Sequence, residues 1–165
     1  MLVKKFSAGQ WRDYRAIRLE ALSLHADVYG NSLELEKSWS DRHWQEMLSD
    51  GRHAFFGLYD GDGLIGCTAV FTDRNDASGK TALLAGSYIR EDYRGRGLSR
   101  KLYEARLEWI RAADRFDMAA VGHKDGNEVS RRANQAFGFA HAGTEEKTWG
   151  DGSKGIIHVY KMRLR

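Results

Sequence analysis

Residues 93–101 read Tyr-Arg-Gly-Arg-Gly-Leu-Ser-Arg-Lys: two glycines alternate with arginines just ahead of a long apolar-periodic run. Glycines at 95 and 97 can adopt the curled backbone that turns successive N–H groups toward one point. The first turn of the helix that follows adds unpaired N–H groups and a positive partial charge. Backbone of that kind binds phosphate. Two familiar phosphate patterns fail on spacing. A Walker loop needs GxxxxGK[ST], which this stretch does not supply. A GxGxxG dinucleotide fingerprint finds arginine at position 100, where its third glycine should be. A plain glycine turn before a helix is the remaining alternative. Further along, Asn127, Ser130 and Asn134 follow one another at helical spacing and lead to Gly138-Phe139. This is a second row of polar groups on one side of a short helix.

The elements that would hold these groups follow from periodicity. The 165 residues, 42% hydrophobic and 30% charged, suffice for one core, so a single domain over 1–165 is expected. A short strand leads to a helix from about Ala8, with Tyr14, Ile17, Ala21 and Leu24 on one face. A loop, residues 25–38, leads to a second short helix near Asp41–Ser49. Residues 53–59 and 64–72 read as strands joined by Asp-Gly-Asp-Gly, a hairpin signal. Residues 81–89 form a third apolar run ending at the glycine motif. From Leu98 the apolar spacing changes to threes and fours through Leu102, Ala105, Trp109, Ala112 and Phe116, an amphipathic helix of about five turns. Strand 118–123, helix 127–137 and two closing strands complete the chain. The strands on either side of the long helix should be parallel, because a helical crossover joins them, and the rest of the sheet antiparallel or mixed.

Charge and cysteine content narrow the function. Residues 1–85 carry 10 basic and 12 acidic side chains (−2), and residues 86–165 carry 16 and 11 (+5), so the half with the glycine motif is the positive one. The arginines lack the interleaved aromatic stripe of a nucleic-acid surface, so no nucleic-acid partner is expected. Cys67 excludes an internal disulfide, offers no metal cluster and reads as a buried small hydrophobe. No apolar stretch reaches membrane-spanning length, and the first ten residues lack a signal-peptide core; no membrane partner and a cytoplasmic location are expected.

Arg94-Gly95-Arg96-Gly97-Leu98-Ser99 resembles the acetyl-CoA pyrophosphate loop of the GNAT N-acetyltransferases, Q/R-x-x-G-x-G/A. Arg94 and Gly97 match it, and Ser99 departs from the small final residue. Asn127, Ser130, Asn134 and Gly138-Phe139 resemble the N-x-x-S…N-x-x-x-G-F segment of several branches of that family. The element order is similar along nearly the whole chain. The resemblance implies an α/β fold with a mixed, mostly antiparallel sheet flanked by helices, whose two central parallel strands splay apart. It implies acetyl-CoA as cosubstrate, with the pantetheine arm added to the strand edge as an extra strand. The pyrophosphate would then sit on the N–H groups of Arg94–Ser99, just past Ile89. Ser99 would also cap the helix, Arg96 and Arg100 would offer charge to the phosphates, and Asn127, Ser130 and Asn134 would border the arm.

The implied reaction is attack by a neutral amine on the thioester, which needs a base for the ammonium and an acid for the departing thiolate. The usual strand glutamate is missing from Leu83-Leu84-Ala85-Gly86-Ser87-Tyr88-Ile89, and the usual tyrosine acid is replaced by Asn134. Substitute bases are sought among Tyr88, Glu34, Glu36 and His123. Glu34 and Glu36, in the loop over the acceptor, would also suit a cationic amine. Trp39, Trp44 and Trp149 are candidate pocket walls. The acceptor is expected to be a small-molecule or protein amine. A homodimer is a further possibility, in which a closing strand such as Ile157–Leu164 could pair or swap with a second copy. The reading opposed to an enzyme is an acyl-CoA-binding sensor that kept the loop and lost the acid and base.

Overall fold

The computed structural model describes all residues 1–165. Seven strands form one sheet in the order β1-β2-β3-β4-β5-β7-β6. They are β1 (Leu2–Lys5), β2 (Ala54–Asp60), β3 (Gly63–Thr72), β4 (Thr81–Ile89), β5 (Met118–Lys124), β6 (Ala140–Thr148) and β7 (Lys154–Arg163). Every neighbouring pair is antiparallel except β4 and β5, which the long helix joins as a parallel pair. The helices are α1 (Trp11–Leu24), α2 (Leu33–Lys37), α3 (Asp41–Ser49), α4 (Leu98–Ala113) and α5 (Glu128–Ala136).

Strand alternation divides the core between the two faces of the sheet. Phe55, Cys67, Ala69 and Tyr88 point to one face and pack against Trp11, Tyr14, Ile17 and Ala21 of α1 and Trp44 and Leu48 of α3. Their neighbours Phe56, Val70, Ala82 and Leu84 point to the other face, with Ala119 and Val121, and meet Tyr103, Leu107 and Ile110 of α4. Cys67 is buried and free, as its apolar surroundings require.

Four expectations need correction. Residues 33–37 are not loop: Ser32 accepts a hydrogen bond from the Leu35 N–H and caps the short helix α2. Helix α4 stops at Ala113, where Asp114 takes the left-handed conformation (φ 52°) that short polar side chains tolerate. Its buried face runs through Leu98, Leu102, Tyr103, Arg106, Leu107 and Ile110, whereas Ala105 and Trp109 are only half-buried and Ala112 is exposed. Lastly, both edges of β7 are paired, with β5 and β6, so of the two expected modes edge pairing with a second copy is not open to it, and strand exchange alone is. No helix is long and apolar enough to cross a membrane.

Candidate active site

The parallel pairing of β4 and β5 extends only from Thr81↔Met118 to Leu84↔Val121. Beyond that point each strand follows its other neighbour. A register shift opposite Cys67–Ala69, with Gly86 at φ +67°, carries β4 away along β3, while β5 continues along β7 to Lys124↔Ile157. The edge of β4 facing β5 is therefore unpaired from Ala85 onward. A cleft of about 1500 Å³ opens there, bordered by Arg18, Tyr29, Glu36, Tyr103, Arg106 and His123 among others.

The glycine loop stands at the far end of that edge. Gly95 and Gly97 have φ of +75° and +71°, with open space where a Cβ would project, and Gly97 is the residue from which α4 starts. The N–H groups of Gly95 through Ser99 make no hydrogen bond within the protein. A run of free N–H groups at a helix start, beside an unpaired strand edge, fits a pyrophosphate and the amide-bearing arm attached to it. Ser99 is exposed and does not cap α4, correcting the expected cap, because the left-handed Gly97 occupies the cap position. Leu98 is buried against Leu58, Ile65 and Leu102 and anchors the loop. The side chain of Arg94 turns back: its Nε donates to Ile89 O (2.8 Å) and an Nη donates to His25 Nε2 (3.0 Å). Arg96 lies over the Tyr93 ring and donates to Asp92 O, and Arg100 pairs with Glu104. Across the cleft, Asn127 caps α5 by accepting from the Ser130 N–H (3.1 Å), and both residues border the cleft.

The expected catalytic side chains lie elsewhere than sequence suggested. Tyr88 faces α1, where its hydroxyl donates to Glu20 (2.8 Å); burial and that bond push its pKa up to about 12, so it is no base near neutrality. Glu34 is exposed and outside the cleft lining. Glu36 is buried and accepts from Arg18 Nε and Nη2 (2.9 and 2.8 Å), so its charge is already engaged by Arg18. The loop therefore offers no free carboxylate pair to a cationic amine. Asn134 is fully buried and absent from the cleft lining; its Oδ1 accepts from the Tyr103 hydroxyl while its Nδ2 finds no partner. His123 does border the cleft. Its Nδ1 lies 2.9 Å from Lys124 O, which places the proton on Nδ1 and leaves Nε2, 3.3 Å from Tyr160 Oη, as the acceptor. Trp39 and Trp149 line the cleft, and Trp44 is core.

Two residues that sequence reading missed also border the cleft, both from α4: Tyr103 and Arg106. The signal was a charged residue one turn after Leu102 and one turn before Ile110, on a face otherwise apolar.

The roof is a clamp between the segment after α1 and the β6–β7 hairpin. Tyr29 Oη donates to Ser87 O on the freed length of β4 (2.9 Å), and the Gly150 N–H donates to Tyr29 O (2.8 Å). A Cβ at Gly150 would lie 2.2 Å from Asn31 O, a backbone atom that has nowhere to go. Gly150→Ala is expected to cost about 1–3 kcal/mol and to lift the hairpin from the segment. Urea denaturation should show the loss, and limited proteolysis should show faster cutting between residues 25 and 32.

The comparisons agree with this geometry. A family model described as the acetyltransferase (GNAT) family matches residues 17–139. Among curated proteins none matches the sequence. An acetyltransferase of the GNAT family from Streptococcus pneumoniae superposes with a TM-score of 0.82 at 16% identity, over 99% of this chain and 99% of that one. A putative acetyltransferase from Salmonella typhimurium, solved with its cofactor acetyl-CoA, gives 0.80 at 16% identity, over 100% and 94%. A ribosomal-protein-alanine N-acetyltransferase from Brucella melitensis gives 0.80 at 18% identity, over 99% and 100%. Splayed strands, glycine loop and a family model covering most of the chain lead to one conclusion: this protein belongs to the GNAT acetyltransferase family.

Proposed function

We propose that the protein transfers an acetyl group from acetyl-CoA to the primary amine of a small molecule or protein, in the cleft between β4 and β5. The observation that carries this reading is the end of β4–β5 pairing at Leu84 and Val121, with the unpaired N–H groups of Gly95–Ser99 at the other end of the exposed edge. When bound, acetyl-CoA supplies a thioester whose acyl carbon accepts the amine and whose sulfur leaves as a thiolate. The chain's residues hold the pyrophosphate at the loop and align the arm along β4, and the clamp of Tyr29 and Gly150 limits water entry. His123 is the one residue of the four weighed as bases that borders the cleft with its side chain uncommitted to an ion pair, and it takes the ammonium proton.

Tyr103 supplies the acid that Asn134 cannot. Its hydroxyl comes from α4 instead of α5, and Asn134 fixes its position. The Nδ2 of Asn134 is a buried donor without a partner. Turning the amide over, in place of the Oδ1 contact, would let Nδ2–H donate to the Tyr103 oxygen and would free the phenol proton for transfer. Burial raises the Tyr103 pKa while the Arg106 cation opposes that rise, so the phenol stays protonated at neutral pH. Tyr103→Phe is expected to lower kcat about 100-fold with little change in KM for acetyl-CoA. Steady-state kinetics would check this, and an equal rise in KM would reduce Tyr103 to a packing residue.

The test of the function itself is thiol release from acetyl-CoA across a panel of amines and lysine- or alanine-terminated peptides. Amine-dependent release with acetylated product supports the reading. Tight acetyl-CoA binding with no amine-dependent release supports a silent acyl-CoA-binding domain instead.

A further inference from the structure

Arg106 is 2% exposed and carries a full charge, yet it forms no ion pair. Its Nε donates to Leu102 O (3.0 Å) within its own helix, and its guanidinium lies 4.7 Å from the centre of the Tyr103 ring. Neither Nη makes a hydrogen bond to the protein, and the side chain borders the cleft. Of the acids that border the cleft, Glu36 pairs with Arg18, Glu46 with Arg42 and Asp50 with Arg52, Asp76 accepts from Ser78 and Thr81, and none of these, nor Asp73, Glu145 or Glu146, forms an ion pair with Arg106. A charge buried without a counter-ion is unfavourable, and natural cores avoid it unless something arrives to pair with it. A guanidinium with two free Nη groups matches one partner best, a carboxylate taken bidentately.

Position narrows the source of that carboxylate. Arg106 lies between Tyr103 and Ile110 on the α4 face that packs against Leu84 and Val121, the last pair before the strands separate. On the acyl-CoA reading, an arm laid along β4 from the glycine loop would run toward that point, which would bring the reacting groups of both substrates to the part of the cleft that Arg106 borders.

We infer that Arg106 is a carboxylate-recognition site at the floor of the cleft, and that one of the two substrates joined there carries a carboxylate, either on the acyl chain or on the amine. The inference rests on the acyl-CoA reading given above. It makes the protein selective for a donor or an acceptor that bears a carboxylate, in contrast to the purely cationic acceptor that Glu34 and Glu36 suggested.

Calorimetry separates the two sources without a known reaction. In the donor arm, succinyl-CoA is compared with butyryl-CoA. In the acceptor arm, the common amino acids are compared with their amides on protein saturated with coenzyme A. Wild type is expected to favour the carboxylate at least about 10-fold in one arm. Arg106→Met should bring that ratio to within about 2-fold, and Arg106→Lys should keep part of it, since it preserves charge but not the fork. Arg106→Met should also raise Tm by about 2–6 °C, because an unpaired buried charge is replaced by an apolar chain of similar length. Coenzyme A binding with no carboxylate preference in either arm, or a preference that survives Arg106→Met, would overturn the assignment of the site. A fall in Tm would do the same by making Arg106 a structural residue. Failure of coenzyme A itself to bind would overturn the acyl-CoA reading beneath it.

Discussion

Glu36→Ala is expected to destabilise the fold by about 3–5 kcal/mol, lowering Tm by about 6–20 °C in a chain of this size. The reason is not the strength of the Arg18–Glu36 pair but what remains without it. The two side chains are 12% and 3% exposed, so removing the carboxylate strands a guanidinium in a nearly dry site. Arg18 lies over the Tyr29 ring (5.0 Å), and Tyr29 holds Ser87, so the disturbance would reach the freed part of β4. The double variant Arg18→Met with Glu36→Met is expected to recover most of the loss, because no charge remains to be solvated. A thermal-denaturation cycle over the single and double variants checks this. Additive losses would show that the two residues contribute by packing alone.

Gly97→Asp should weaken acetyl-CoA binding about 30- to 1000-fold while leaving the protein folded. Aspartate tolerates the left-handed conformation better than most residues, and a Cβ at position 97 meets nothing within 4 Å, so strain and crowding are small. The charge is the damage. A carboxylate about 5 Å from a pyrophosphate, near the protein surface, costs roughly 2–4 kcal/mol. Gly97→Asn has nearly the same shape without the charge and should lose about 10-fold or less. Calorimetry on both variants separates the terms, and equal losses would mean that backbone geometry, not electrostatics, governs the loop.

These variants show where sequence reading succeeds and where it stops. The glycine loop was legible because its function resides in the backbone. Glycine spacing before a helix encodes free N–H groups directly, and Gly95 and Gly97 are left-handed as that reading requires. The parallel β4–β5 pair was legible because a helical crossover permits little else. Side-chain roles were less legible, since they depend on which partner the fold brings up. Glu36 looked like a free carboxylate because Arg18, eighteen residues earlier, has no local signature as its partner. Tyr88 looked like a cleft residue because strand alternation does not reveal that the register shift near Gly86 sends it toward Glu20. Asn134 looked like a failed acid, whereas the structure pairs it with a tyrosine thirty-one positions earlier. Arg106 was passed over because the apolar stripe of α4 was drawn slightly off the true buried face.

Amide hydrogen exchange with and without acetyl-CoA tests the central claim most directly, because it reads the backbone groups on which the site is built. The expected result is protection of the N–H groups of Gly95–Ser99, which make no hydrogen bond in the protein alone, together with slower exchange along Ala85–Ile89 of β4. The outer strands β1 and β6 should be unchanged. Saturating acetyl-CoA that leaves both the loop and the β4 edge unprotected, or that protects a different surface, would contradict the account.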